Sequence, residues 1–266
     1  MRNNLTWHRI TLQLRNPFRL SYGTSERREA FWIRLRDDEG WGEGTIPPYY
    51  GVSAGDMVAF WQRAAEKSVD FPDDPALIAA WIGEDGPAPA RCALDIALHD
   101  RIGRMNQMPL HALLDAPPPK PQPSSFTIAL DTPAAMAKMA LQVAHCPIIK
   151  VKLGGDDYDI KRLRAIREAR PDVALWVDAN AGWSREEAEA YLPDLEALGI
   201  EMVEQPLDKS DINGMGVLQS KTKIPMVADE SVQTLTNIEN LAEAGVAGVN
   251  IKLMKVGGIS PALVMI

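Results

Sequence analysis

The chain has 266 residues, 46% of them hydrophobic and 24% charged, an ordinary globular composition that excludes disordered and fibrous classes. Net charge is −8, from 28 Lys+Arg against 36 Asp+Glu, which argues against a nucleic-acid footprint and against an anionic membrane. The N-terminus has no apolar leader, no run of about 18 apolar residues occurs, and Cys92 and Cys146 stand apart with no C-x-x-C spacing, so a soluble cytoplasmic protein is expected, without zinc knuckle or redox pair.

The first elements are strand-like. Residues 5–14 and 30–35 alternate as half-buried strands, and Asp37-Asp38-Glu39-Gly40 is a turn. From Ser53 the pattern becomes helical, most clearly over 88–104, where Cys92, Leu94, Ile96, Ala97, Leu98 and Ile102 share a broad face. Strands followed by helices predict a small α+β domain over residues 1–116. Five prolines then fall within residues 117–123, a stiff linker that excludes helix and central strand.

After the linker the chain alternates. Strands are predicted at 125–130, 148–152, 173–177, 200–203, 224–228 and 246–251. Helices are predicted at 133–144, 157–170, 184–198 and 234–244, the third opened by a Ser184-x-x-Glu187 capping box. Gly257-Gly258 turns the chain, and Ser260-Pro261 begins another helix. Strand–helix units with fully apolar strands predict a parallel sheet covered on both faces. The fold class is α/β, a (β/α)8-type barrel over 123–266 with an N-terminal α+β capping domain. Residues 123–266 supply only six of the eight strands a closed barrel requires, so the barrel is expected to be incomplete at its C-terminus.

The ends of these strands carry the chemistry. They read Lys150-Val151-Lys152, Asp178-Ala179-Asn180, Glu204-Gln205-Pro206, Asp229-Glu230-Ser231 and Lys252. From Lys152 to Lys252 the steps are 26, 26, 25 and 23 residues, about one βα unit each. Parallel strands place all these ends at one mouth. One charged residue at a strand end is usually only solvated; five consecutive units ending in potent groups are harder to dismiss. Lys150 and Lys152 are two apart and share a strand face, where a buried lysine must be used or paired. Three carboxylates, Asp178, Glu204 and Asp229, with no His or Cys, are hard ligands suited to Mg²⁺. A buried lysine near cations has a lowered pKa and can act as a base. In an eight-stranded barrel the second and sixth strands are half a turn apart. Lys152 and Lys252 would then face each other and exchange a proton across a bound carbonyl compound, which is racemisation or epimerisation. The cation and Lys150 would stabilise the developing negative charge.

As a set, these motifs resemble the enolase superfamily in its muconate lactonizing enzyme subgroup. Asn250-Ile251-Lys252-Leu253-Met254-Lys255-x-Gly257-Gly258, Gly40-Trp41-Gly42-Glu43-Gly44 and Ala93-Leu94-Asp95-x-Ala97-Leu98-x-Asp100 extend the resemblance through nearly the whole chain. It implies Asp178, Glu204 and Asp229 as Mg²⁺ ligands, Lys152 and Lys252 as the acid/base pair and Lys150 as an electrostatic helper. Lys255 would be a loop residue. The segments around Thr127 and Lys252 are most similar to those of dipeptide epimerases, so the implied activity is epimerisation of a dipeptide through an enediolate. Phe18–Glu26 and Thr45–Gly51 would be loops covering the substrate, with Thr127, Tyr22, Tyr50 and Asn180 as candidate contacts. A muconate-type cycloisomerase or an o-succinylbenzoate synthase-like dehydratase would use the same site with a single proton-transferring lysine. Schiff-base chemistry is disfavoured by the three nearby acids. Expected partners are a small-molecule substrate, a dipeptide or another carboxylate, and further copies of the chain, with no nucleic acid and no membrane.

Overall fold

A computed structural model describes residues 4–21, 23–46 and 51–266. Tyr22 and Tyr50, two of the expected substrate contacts, lie outside the described residues. Backbone contacts divide the chain into two compact units. One contains residues 1–14, 27–120 and 251–266, the other residues 15–26 and 121–250.

The first elements are β1 (Leu5–Leu20), β2 (Gly23–Leu35) and β3 (Gly40–Thr45), sheet neighbours in that order. Phe18–Glu26, expected as a covering loop, is instead the end of β1 and the start of β2. Among the described residues, its backbone is drawn into these two strands. Four helical elements follow: α1 (Ala54–Ala65), α2 (Ile78–Ile82) reached through a 3₁₀ turn, α3 (Ala88–Met105) and α4 (Leu110–Leu113). Ser53 caps α1, its hydroxyl accepting from Asp56 N–H.

The core of the first unit packs Phe31, Ile33 and Leu35 of β2 against Met57, Trp61, Leu94, Leu98 and Ile102. The alternating glycines of β3 let α3 lie directly on it. A Cβ on Gly40 would run into the Ala97 carbonyl, and one on Gly42 into the Ala93 carbonyl. Asp100, also on α3, accepts the Trp41 N–H at 2.8 Å. Cys92 is buried in α3, and burial beside Asp95 pushes its thiol up to about 12, so it behaves as a small hydrophobe.

The proline-rich segment is irregular, and behind it come β4 (Ser125–Ile128), α5 (Pro133–Gln142), β5 (Ile148–Lys152), α6 (Asp159–Ala169), β6 (Ala174–Asp178), α7 (Arg185–Ala197), β7 (Ile200–Glu204), α8 (Ile212–Lys221), β8 (Met226–Ala228), α9 (Leu235–Glu243) and β9 (Gly248–Val249). The six strands are neighbours in chain order, and every pair is parallel. Ser184 and Glu187 form the expected capping box on α7. Arg19 joins this unit: its carbonyl accepts from Leu130 N–H, and its guanidinium pairs with Asp131 at 2.9 Å.

The chain ends in α10 (Leu253–Val256) and α11 (Ile259–Met265). These group with the first unit because Asp95 of α3 supplies the cap that α11 lacks. Its carboxylate accepts from the Ile259 N–H at 2.6 Å and from the Ser260 hydroxyl at 2.5 Å. Gly258, at φ 131°, lies so close to Asp95 that a Cβ would strike the carboxylate.

Two expectations are corrected here. The sixth strand ends at Val249, so Lys252 does not terminate it; Lys252 occupies the N-cap position of α10. Lys255 is not a loop residue but is buried within that single helical turn. In both cases the chain leaves the sheet ladder as it turns into α10. The last ladder-like bond is Asn250 N–H to the Ala228 carbonyl.

Candidate active site

The pleat of the parallel sheet sorts its side chains into two sets. Ile149, Val151, Leu175, Val177 and Val203 are fully buried on the apolar set. The other set forms rows across the strands. Thr127 pairs with Lys150, Lys150 with Trp176, and Trp176 with Met202. One pleat further on, Lys152 pairs with Asp178 and Asp178 with Glu204. Asp229 follows the last residue of β8. Lys150 and Lys152 therefore share a face because of the two-residue period.

Asp178, Glu204 and Asp229 are all buried, and each offers an oxygen within 4.8 Å of the others. Lys150 and Lys152 both donate to Asp178 Oδ2, at 2.7 and 2.6 Å. Lys150 also donates to Glu204 Oε2 at 2.6 Å. The remaining oxygens are held too: Asp178 Oδ1 accepts the Asn180 N–H at 3.0 Å, and Glu204 Oε1 accepts from the Asn250 side chain at 3.0 Å. Three buried carboxylates so close together offer a set of hard oxygen donors. That donor set fits an oxygen-preferring divalent cation such as Mg²⁺.

Electrostatics reflect this crowding. Burial alone would push Asp178 up, but Lys152 and Lys150 outweigh it and hold the carboxyl below its ordinary range. Glu204 moves the other way, raised by burial and by the charge of Asp178 against the opposing pull of Lys150. Lys150 departs from expectation. Burial lowers its pKa, but Asp178 and Glu204 raise it further, so the net direction is up rather than down. Lys150 is thus held as an ammonium by the acids beside it.

Several supporting residues carry no obvious sequence signal for their role. Gln205 is wholly buried at φ 36°, and one side chain spans two loops. Its Oε1 accepts from Asp229 N–H and Ser231 N–H; its Nε2 donates to the Leu207 carbonyl and to Ser231 Oγ. Asn180, at φ 46°, donates through Nδ2 to Glu230 Oε1 at 3.0 Å, and its carbonyl accepts from Ser21 Oγ. Asp159 accepts from Trp183 Nε1, Gly154 N–H and Arg162, tying the loops after β5 and β6 together. Left-handed backbone at Asn180, Ala181 and Gln205 concentrates conformational strain where the acids converge.

A parallel α/β sheet that gathers three buried carboxylates and two lysines at its strand ends defines a barrel enzyme of acid–lysine type. The chain belongs to the enolase superfamily. Residues 134–266 match the family model described as Enolase C-terminal domain-like. An L-Ala-D/L-amino acid epimerase from a Maribacter species is 32% identical over 97% of this chain and 77% of its own length. A dipeptide epimerase from Enterococcus faecalis, solved with Mg and the dipeptide L-Leu-L-Tyr, superposes with a TM-score of 0.90 at 28% identity, covering 100% of this chain and 78% of that one. An N-succinyl Arg/Lys racemase from Bacillus cereus superposes at a TM-score of 0.92, also at 28% identity, covering 100% and 76%. The fold is accordingly the (β/α)8-type barrel with an N-terminal capping domain, with six parallel strands among the described residues. No helix of the described residues is long and apolar enough to cross a membrane.

Proposed function

We propose that this chain is a Mg²⁺-dependent epimerase of dipeptides, exchanging the proton α to the substrate carboxylate. The observation that carries this reading is the sharing of Asp178 Oδ2 by Lys150 and Lys152 within a three-carboxylate cluster. Asp178, Glu204 and Asp229 would hold the cation. When bound, the cation acidifies the α-hydrogen by drawing charge from the substrate carboxylate.

Every other task falls to the chain itself. Lys152 removes or returns the α-proton at Nζ, and Lys252 serves the opposite face of the same carbon. Lys150, held charged by its acids, stabilises the negative charge that develops on the substrate oxygens. Thr127 stands in the row beside Lys150 and offers a hydroxyl to the substrate. Relatives named as epimerases acting on alanyl, hydrophobic and aromatic dipeptides support a dipeptide as substrate.

The test is a dipeptide library incubated with the enzyme and Mg²⁺ in D₂O, followed by mass spectrometry and chiral separation. Deuterium is expected at one α-carbon of both epimers. A library free of exchange under metal-replete conditions would defeat the proposal, and N-acylated amino acids belong in the same screen.

A further inference from the structure

Buried Asn180 and half-buried Glu230 form a pair beside the carboxylate cluster whose hydrogen bonding is incomplete. Glu230 Oε1 accepts from Asn180 Nδ2 at 3.0 Å. That leaves two buried acceptor atoms, Asn180 Oδ1 and Glu230 Oε2, with no partner among the described residues. Asn180 is only 6% exposed. Its backbone is fixed from both sides: its N–H donates to Asp178 Oδ1, and its carbonyl accepts from Ser21 Oγ.

Two buried oxygens left without a partner call for a donor. Their chain neighbours decide which one. Glu230 follows Asp229, and Asn180 is two residues from Asp178, so both abut the proposed cation ligands. A substrate ammonium placed there would be repelled by a divalent cation at the cluster. A water bound to that cation carries no net charge, and its O–H groups are made strongly donating by the metal. Mg²⁺ characteristically retains such waters.

We infer that Asn180 and Glu230 are positioning residues that accept hydrogen bonds, through Asn180 Oδ1 and Glu230 Oε2, from a water bound to the divalent cation. The inference rests on the proposed Mg²⁺ site and assigns the pair to its outer shell. Outer-shell partners of this kind change metal affinity about 10–100-fold when removed.

The test uses the full chain, with Mg²⁺ titrated calorimetrically and Mn²⁺ as a spectroscopic stand-in. Glu230→Gln keeps the shape but turns one acceptor into a donor, while Asn180→Gly keeps the left-handed backbone and removes the amide. Each is expected to weaken Mg²⁺ binding about 10-fold and to alter the hyperfine couplings of exchangeable protons on bound Mn²⁺. Near-UV circular dichroism confirms folding, and either folded variant suffices. Affinity within twofold of wild type, with unchanged couplings, would overturn the inference and leave the epimerase reading standing. Unchanged affinity with a raised KM at constant kcat would instead assign the pair to the substrate and overturn it equally. A wild-type chain that binds neither Mg²⁺ nor Mn²⁺ would remove both readings.

Discussion

Lys152 Nζ donates to Asp178 Oδ2 at 2.6 Å, and the two residues are direct register partners on β5 and β6. The proposed base is therefore positioned by a proposed metal ligand, through sheet register rather than through a loop. Asp178 must serve two cations at once, since Lys150 reaches the same oxygen. Lysine and metal compete for it.

That competition has a measurable consequence for Lys150→Met. The substitution removes a cation lying 2.7 Å from Asp178 and 2.6 Å from Glu204. Mg²⁺ affinity, measured by calorimetry at pH 8, is expected to rise about tenfold, the equivalent of about 1.4 kcal/mol. Turnover is expected to fall about 100-fold or more, because the developing oxyanion loses its ammonium partner. A variant with weaker Mg²⁺ binding would show that Lys150 organises the acids rather than competing for them.

Removing Lys152 acts on one face of the substrate carbon. Lys152→Ala is expected to lower α-proton exchange about 10²–10⁴-fold for one epimer. If Lys252 serves the other face, exchange from the opposite epimer survives at a measurable rate, and Lys252→Ala shows the mirror pattern. Single-turnover deuterium exchange on each pure epimer reads this directly. Equal losses for both epimers in both variants would point to chemistry in which only one lysine moves the proton.

Much of this site was legible in the sequence, for a physical reason. A βα unit has a nearly constant length, so potent residues recurring every 23–26 positions mark the ends of parallel strands. Lys150, Lys152, Asp178, Glu204 and Asp229 converge as that spacing requires. Periodicity failed where tertiary packing overrides it. Helix α8 carries Gly214 and Gly216, poor helix formers, yet a Cβ on Gly216 would strike the Ala244 carbonyl, so close packing demands the glycine. Asp159 and Arg162 carry no signal in the local pattern, yet they are buried in one hydrogen-bonded network with Asp156. The role of Gln205 depends on two loops meeting in space, which no local pattern records.

Gln205 is accordingly expected to be sensitive. Gln205→Ala strands the N–H groups of Asp229 and Ser231 in a buried setting, at about 1–3 kcal/mol for each unsatisfied group. Urea denaturation should show a loss of about 2–6 kcal/mol, and Mg²⁺ affinity should fall because the Asp229 N–H loses its partner on Gln205. Stability and affinity both at wild-type levels would mean that the loops after β7 and β8 are held by other contacts.

The β3–α3 contact offers a prediction remote from the chemistry. Gly42→Ala places a methyl against the backbone of Ala93 and Ala97, where neither partner can yield without moving α3. Overpacking of this kind costs about 1–3 kcal/mol. The exposed neighbour Glu43 is the control, and Glu43→Ala is expected within about 0.5 kcal/mol of wild type. Thermal melts of the two variants side by side decide it. Equal melting temperatures would show that α3 has room to shift.

His99 gives a pH dependence whose sign can be worked out. It is buried on α3, with Nδ1 2.9 Å from the Asp95 carbonyl oxygen and 3.3 Å from Asp95 Oδ1. Burial pulls its pKa down, but the hydrogen bond to Asp95 and the charge of Asp95 outweigh burial, and the net direction is up. The folded state therefore holds the proton more tightly than the unfolded chain, whose histidine titrates near about 6.5. The contribution to stability is complete below that value and is lost as pH rises through the higher folded pKa. Chemical denaturation across pH 5–9 should show stability declining on the alkaline side of about 6.5, and His99→Gln should flatten that decline. Because Asp95 also caps α11, the same variant tests whether the charged imidazolium steadies that cap. A pH profile unchanged by His99→Gln would assign the alkaline loss to another group.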